Sequence, residues 1–140
     1  MKYFKLLSFI GLAAAQEITI NSEIKFTPSV LNEDTLQVDM TCSTVEWCSI
    51  GFGSRTMTAS DMVVFYWDGT NGSVEDRWSN SETTPTLDAN QDWTLTSAVA
   101  SGSSVRFVAT RPLDTGETTQ DNKINLGSTI DYSVAWGPNT

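Results

Sequence analysis

Met62-Val63-Val64-Phe65-Tyr66-Trp67 is the most apolar run of the chain after its first fifteen residues. Strand periodicity puts Met62, Val64 and Tyr66 on one face and Val63, Phe65 and Trp67 on the other. A half-solvated antiparallel strand would alternate with polar residues, so both faces of this one need cover. The run therefore reads as a central strand whose second face lies against another sheet, a loop or a ligand. Two further β-rich segments frame it, Trp47-Cys48-Ser49-Ile50-Gly51-Phe52-Gly53 before it and Ser73-Val74-Glu75-Asp76-Arg77-Trp78 after it. A polar loop carrying Met57 joins the first two, and the turn Asp68-Gly69-Thr70-Asn71-Gly72 joins the last two.

Working outward, short β-rich runs recur at 18–26, 35–42, 47–52, 62–67, 74–78, 93–99, 105–110 and 131–136. Clusters of Gly, Ser, Thr, Asn and Asp separate them, and helix signals are nearly absent. That spacing predicts an all-β antiparallel sandwich or barrel in a single domain. One pairing follows in detail. Leu36, Val38, Met40 and Cys42 alternate with polar residues, and Cys48, Ile50 and Phe52 alternate in the next run. A hairpin with Cys42 opposite Cys48 also sets Met40 opposite Ile50 and Val38 opposite Phe52, so disulfide and apolar face agree on one register. A Cys42–Cys48 bond is the expectation, consistent with cysteines in an exported chain.

Export is read from the start of the chain. Lys2 and Lys5 precede an apolar stretch from Leu6 to Leu12, and Ala13-Ala14-Ala15 offers a small-residue cleavage site, the three-part pattern of a signal peptide over 1–15. The stretch is well under the ~20 residues that span a bilayer. The expectation is a secreted domain over 16–140 with no membrane insertion. The formal net charge is −9, and no basic patch marks a nucleic-acid or anionic-membrane partner. Asn71-Gly72-Ser73 is a glycosylation sequon in a predicted turn.

Catalytic readings run short of parts. The chain has no histidine, so neither a Ser-His-Asp nor a Cys-His arrangement can be built. No phosphate-binding or dinucleotide fingerprint occurs. Glu75-Asp76 reads as solvated surface, because adjacent strand residues face opposite ways. Asp88-Ala89-Asn90-Gln91-Asp92 has alternating oxygen ligands, but Trp93 replaces the turn glycine of an EF-hand and Val99 its bidentate glutamate. It reads as an Asx-rich turn, with a looser calcium site as the alternative. The binding chemistry left is aromatic (Trp47, Tyr66, Trp67, Trp78, Trp93 and Trp136) together with the Met57 thioether in its polar loop.

The order of motifs resembles a DOMON domain, the type found in dopamine β-monooxygenase and in the cytochrome part of cellobiose dehydrogenase. The resemblance rests on Trp47 through Asp68, with Met57 four residues before Asp61, and on Val74-Glu75-Asp76-Arg77-Trp78. It continues through Gln91-Asp92-Trp93-Thr94-Leu95, Thr110-Arg111-Pro112-Leu113-Asp114 and Tyr132-Ser133-Val134-Ala135-Trp136-Gly137. It implies an immunoglobulin-like β-sandwich whose pocket takes b-type haem in some members and is proposed to take sugars in others. In haem-binding members the methionine of the Met-x-x-x-Asp element is an axial ligand, which carries onto Met57; the partner histidine is missing. The sequence is then either a C-terminally truncated copy or a member that holds no haem through a Met/His pair. Arg111 with Asp114 or Asp121 reads as a structural ion pair or turn cap. The expected function is a non-enzymatic module whose pocket takes a small ligand, sugar-like or haem-like, with Met57, Asp61, Phe65, Trp67 and Trp78 as its residues. The alternatives are a haem electron-transfer domain completed beyond residue 140 and a structural or adhesive extracellular domain.

Overall fold

A computed structural model describes residues 2–8, 15–43 and 47–138. Among the described residues, eleven strands form two antiparallel sheets. The first sheet has the order β1 (Lys2–Ser8), β11 (Thr129–Gly137), β5 (Trp47–Phe52), β6 (Ser60–Trp67), β7 (Gly72–Ser79), β8 (Thr86–Leu87). The second runs β2 (Ile18–Thr19), β3 (Ile24–Leu31), β4 (Thr35–Ser43), β10 (Ser104–Pro112), β9 (Thr94–Ser101). The chain is an all-β antiparallel sandwich, as its pattern predicts. β1 pairs with β11 at the edge of the first sheet, so loss of a leader at Ala15 would break no strand pairing among β2 to β11. Positions 1 and 9–14 of the expected leader lie outside the described residues.

Alternation explains the core. Leu36, Val38, Met40 and Cys42 of β4 and Val105, Phe107 and Ala109 of β10 face Cys48, Ile50 and Phe52 of β5 and Val63 and Phe65 of β6. The inner surface is closed by Phe26 edge-on to Tyr132 at 5.3 Å and Phe65 against Phe107 at 5.2 Å, geometries aromatic pairs favour.

The Cys42–Cys48 disulfide is present, with Cα atoms 6.6 Å apart, but the hairpin expected around it is not. β4 pairs with β3 and β10, whereas β5 pairs with β11 and β6. The bond therefore ties one sheet to the other across the core. The correction has a simple cause. Two strands that meet edge to edge and two that meet face to face show the same alternation, so apolar periodicity cannot separate the arrangements.

The run expected at 18–26 is divided. The Asn21 side chain accepts hydrogen bonds from the amides of Glu23 (2.7 Å) and Ile24 (2.8 Å), which turns the chain between β2 and β3. β6 is central, between β5 and β7. At the β6–β7 turn, Asp68 accepts from the amides of Thr70 and Asn71, and Asn71 is exposed.

Candidate functional site

The two faces of β6 and β7 carry two different groupings of functional side chains. On the outer face, Met62, Val64 and Tyr66 line a cavity of about 510 Å³. Ser49 and Ala135 complete its floor; Trp47, Met57, Arg77, Glu82 and Pro85 stand around it. The expected second-face cover of β6 is therefore an open pocket bordered by loops, not a third layer. Its floor is mainly apolar, with Met62 at 3% and Val64 at 5% exposure, and its rim is polar and aromatic. That composition suits a small organic ligand.

The rim is held in place before any ligand arrives. Arg77 donates through Nε to Glu75 Oε2 at 2.8 Å and through Nη1 to the Pro85 carbonyl at 2.7 Å. This clamps the 82–85 segment against β7. Trp47 Nε1 donates to the Pro138 carbonyl at 3.2 Å. Burial pushes the Tyr66 hydroxyl above its ordinary pKa, with Arg77 opposing and Glu75 adding to the rise, so it is a neutral donor at physiological pH.

The inner face holds the second grouping, at one end of the sandwich. Asp61 continues the inward row of Val63 and Phe65, Asp76 that of Val74, and Arg111 that of Phe107 and Ala109. Asp61, Asp76 and Arg111 are at 0%, 0% and 1% exposure. Arg111 donates to Asp61 Oδ2, to the Asn122 carbonyl at 2.8 Å and to the Pro112 carbonyl at 3.1 Å, and it lies 5.8 Å from the Trp93 ring centre. Asn122 adds its amide to Asp61 Oδ2 at 2.8 Å and its side chain to the Phe52 carbonyl at 3.0 Å. Gly53, at φ 86°, makes room for it, since a Cβ there would sit 2.3 Å from Asn122 Nδ2.

The remaining acids gather around this pair. Gln91 brackets Asp76, accepting from its amide at 2.9 Å and donating to its carbonyl at 2.9 Å, while the Asp92 amide donates to Asp76 Oδ2 at 3.2 Å. The segment 88–92 is thereby wrapped over Asp76, with Asp88 and Asp121 buried beside it. Burial raises the Asp61 carboxyl to about 6 against the pull of Arg111. Burial, then the charges of Asp61 and Asp121, raise Asp76 to about 8. Asp76 is no surface residue, contrary to the sequence expectation. Adjacent residues do face opposite ways, but it is Asp76 that points inward, while Glu75 pairs with Arg77.

Of the expected ligand residues, the structure puts only Met57 at the pocket. Asp61 belongs to the buried ionic cluster. Phe65 is wholly enclosed between the sheets, and Trp67 packs against the same core. Trp78 sits opposite Asp61 across β6 and β7 and donates to Asn80. The expected site residues did not include Met62, nor Trp47 and Tyr66, although the last two stood among the candidate binding aromatics. The signal for Met62 and Tyr66 was in the strand itself, since its parity places them together on one face. Arg111 pairs with Asp61, with Asp121 3.9 Å away, while Asp114 pairs with Lys123.

The DOMON domain family model matches residues 20–137. The cytochrome domain of Myriococcum thermophilum cellobiose dehydrogenase is similar in structure, with a TM-score of 0.62 and 12% identity over 89% of this chain and 69% of that one. The cytochrome b domain of pyranose dehydrogenase from Coprinopsis cinerea gives a TM-score of 0.56 and 11% identity over 81% of this chain and 76% of that one. No curated protein matches the chain.

Proposed function

The chain belongs to the DOMON family, and from that premise we propose that it is a secreted ligand-binding module with no catalysis of its own. Its ligand is a small molecule, sugar-like or haem-like, seated on Met62 and Val64 and enclosed by Trp47, Met57, Tyr66 and Arg77. The observation that carries this reading is the outer face of β6. A central strand spends three largely apolar side chains on a face that no second sheet covers among the described residues, and a cavity of about 510 Å³ stands over them. Trp47 and Tyr66 offer ring faces for stacking, and the fixed Arg77–Glu75 pair offers polar atoms to a hydroxylated or anionic group.

A second reading, haem binding, is favoured by the two thioethers, Met57 and Met62, that line one pocket. It also agrees with the fold shared with two cytochrome domains. The donors fit in part. A thioether can ligate haem iron, but no histidine exists among the 140 residues, so a Met/His pair cannot be completed within them. Met57 would be the residue to hold the iron, with Met62 and Tyr66 as the further donors lining the pocket. When bound, b-type haem supplies one-electron transfer; the chain's own part is to exclude water with Met62 and Val64 and to orient the edge of the group at Arg77.

Titration of the purified protein with haemin, followed by calorimetry against a panel of oligosaccharides, separates the readings. A sharp Soret band that responds to reductant, and that weakens at least tenfold in Met57→Ala, supports haem. Sugar binding abolished by Trp47→Ala supports the first reading. Failure of every arm removes both and leaves an adhesive or structural role.

A further inference from the structure

Seven buried carboxylate oxygens at the closed end of the sandwich have no hydrogen-bond partner: Asp61 Oδ1, Asp76 Oδ1, both of Asp88, Glu117 Oε2 and both of Asp121. A buried carboxylate without a donor or counter-ion is among the costliest arrangements a fold can carry. Arg111 is the only cation in contact with the cluster among the described residues, and it is engaged by Asp61. The side chain of Asp121 is at 1% exposure, with Oδ1 3.9 Å from Arg111, and neither of its oxygens accepts a hydrogen bond.

The spacing of these oxygens is that of ligands around an ion. One oxygen each from Asp88, Glu117 and Asp121 lies within 4.8 Å of the others, and the same holds for Asp61, Asp76 and Asp121. Oxygens on a single Ca²⁺, at about 2.3–2.6 Å each, stand no more than about 5 Å apart. Asp121 belongs to both sets. In the set with Asp88 and Glu117, only Asp121 approaches Arg111, at 3.9 Å and without a hydrogen bond, and Glu117 is half-buried. Loop geometry holds the set ready: Asn90 donates to the other oxygen of Glu117 at 2.5 Å, and Gln91 ties the Asp88 carbonyl to Asp76.

We propose that Asp88, Glu117 and Asp121 bind one hard divalent cation of the calcium class, with Asp76 beside it, and that this ion neutralises the end of the sandwich that Arg111 leaves uncompensated. All the donors are oxygens, and no imidazole or free thiolate is near, which disfavours zinc and copper. The site is separate from the Met57 pocket and does not depend on what that pocket binds.

The test is thermal unfolding of the whole protein in 1 mM EGTA and in 1 mM free CaCl₂, with terbium luminescence excited through tryptophan, Trp93 being buried next to Arg111. The expected result is a melting temperature at least about 5 °C higher with calcium, together with a terbium signal that calcium displaces. Asp121→Asn and Asp88→Asn should each abolish the shift while melting in EGTA no lower than the unsubstituted protein, because each removes a repelling charge. Asp114→Asn, paired with Lys123 at the surface, should keep the full shift. Equal melting in both buffers without terbium luminescence overturns the proposal. A calcium shift that survives in both Asp121→Asn and Asp88→Asn also overturns it, by placing the ion elsewhere. Variants that fold poorly in EGTA and regain no stability with added calcium leave the unsubstituted protein's response to calcium and terbium as the deciding measurement.

Discussion

Arg111→Ala is expected to cost about 3–5 kcal/mol of stability, the usual consequence of removing one partner from a buried ion pair. The side chain is fully enclosed. Its loss strands Asp61 and two backbone carbonyls, those of Pro112 and Asn122, and empties the space over the Trp93 ring. A typical domain has only about 5–15 kcal/mol in hand, so the variant should be close to unfolding at room temperature. Urea denaturation measures the effect, and a loss under about 1 kcal/mol would contradict it. The double variant Asp61→Leu with Arg111→Met should recover much of the loss. A buried ion pair replaced as a unit by apolar side chains often breaks even, whereas half a pair cannot.

Phe65→Ala is the other large effect, about 3–5 kcal/mol, and it bears on the site as well as the fold. Phe65 is at 0% exposure and touches Phe107. The substitution opens a cavity in the inter-sheet core and leaves the pocket on the far side of β6 lined as before. The folded fraction should bind the proposed pocket ligand with unchanged affinity while the urea midpoint falls. Met57→Ala should do the reverse, because Met57 is half-buried in a loop at the pocket rim. A Phe65→Ala protein that keeps its stability but loses ligand would move the site to the inner face.

These two contrasts show where the sequence could be read and where it could not. Strand alternation at Leu36 to Cys42 and at Cys48 to Phe52 revealed inward faces correctly, and with them the sandwich. It was blind to whether two inward faces meet within a sheet or across the core, which is why the disulfide was anticipated and its setting was not. The pocket was half legible. A strand apolar on both sides must be covered on both, but parity alone does not say which face meets the other sheet. Phe65 and Trp67 went inward; Met62 and Tyr66 did not. The acid cluster was least legible, because Asp61, Asp76, Asp88 and Asp121 come from β6, β7 and two loops. Extending the inward rows by one step, from Val63 to Asp61 and from Val74 to Asp76, would have found two of the four.

The inter-sheet disulfide has a further consequence, for how copies of this chain can exchange parts. Consecutive strands β4 and β5 lie in different sheets, and a connection from one sheet to the other is a natural hinge for swapping a sheet between two molecules. With Cys42 bonded to Cys48 across a separation of 6 residues, β4 and β5 are also joined covalently and cannot be parted between two copies. Oxidation thus commits β4 and β5 to the same sandwich, and only a reducing environment reopens exchange at that point.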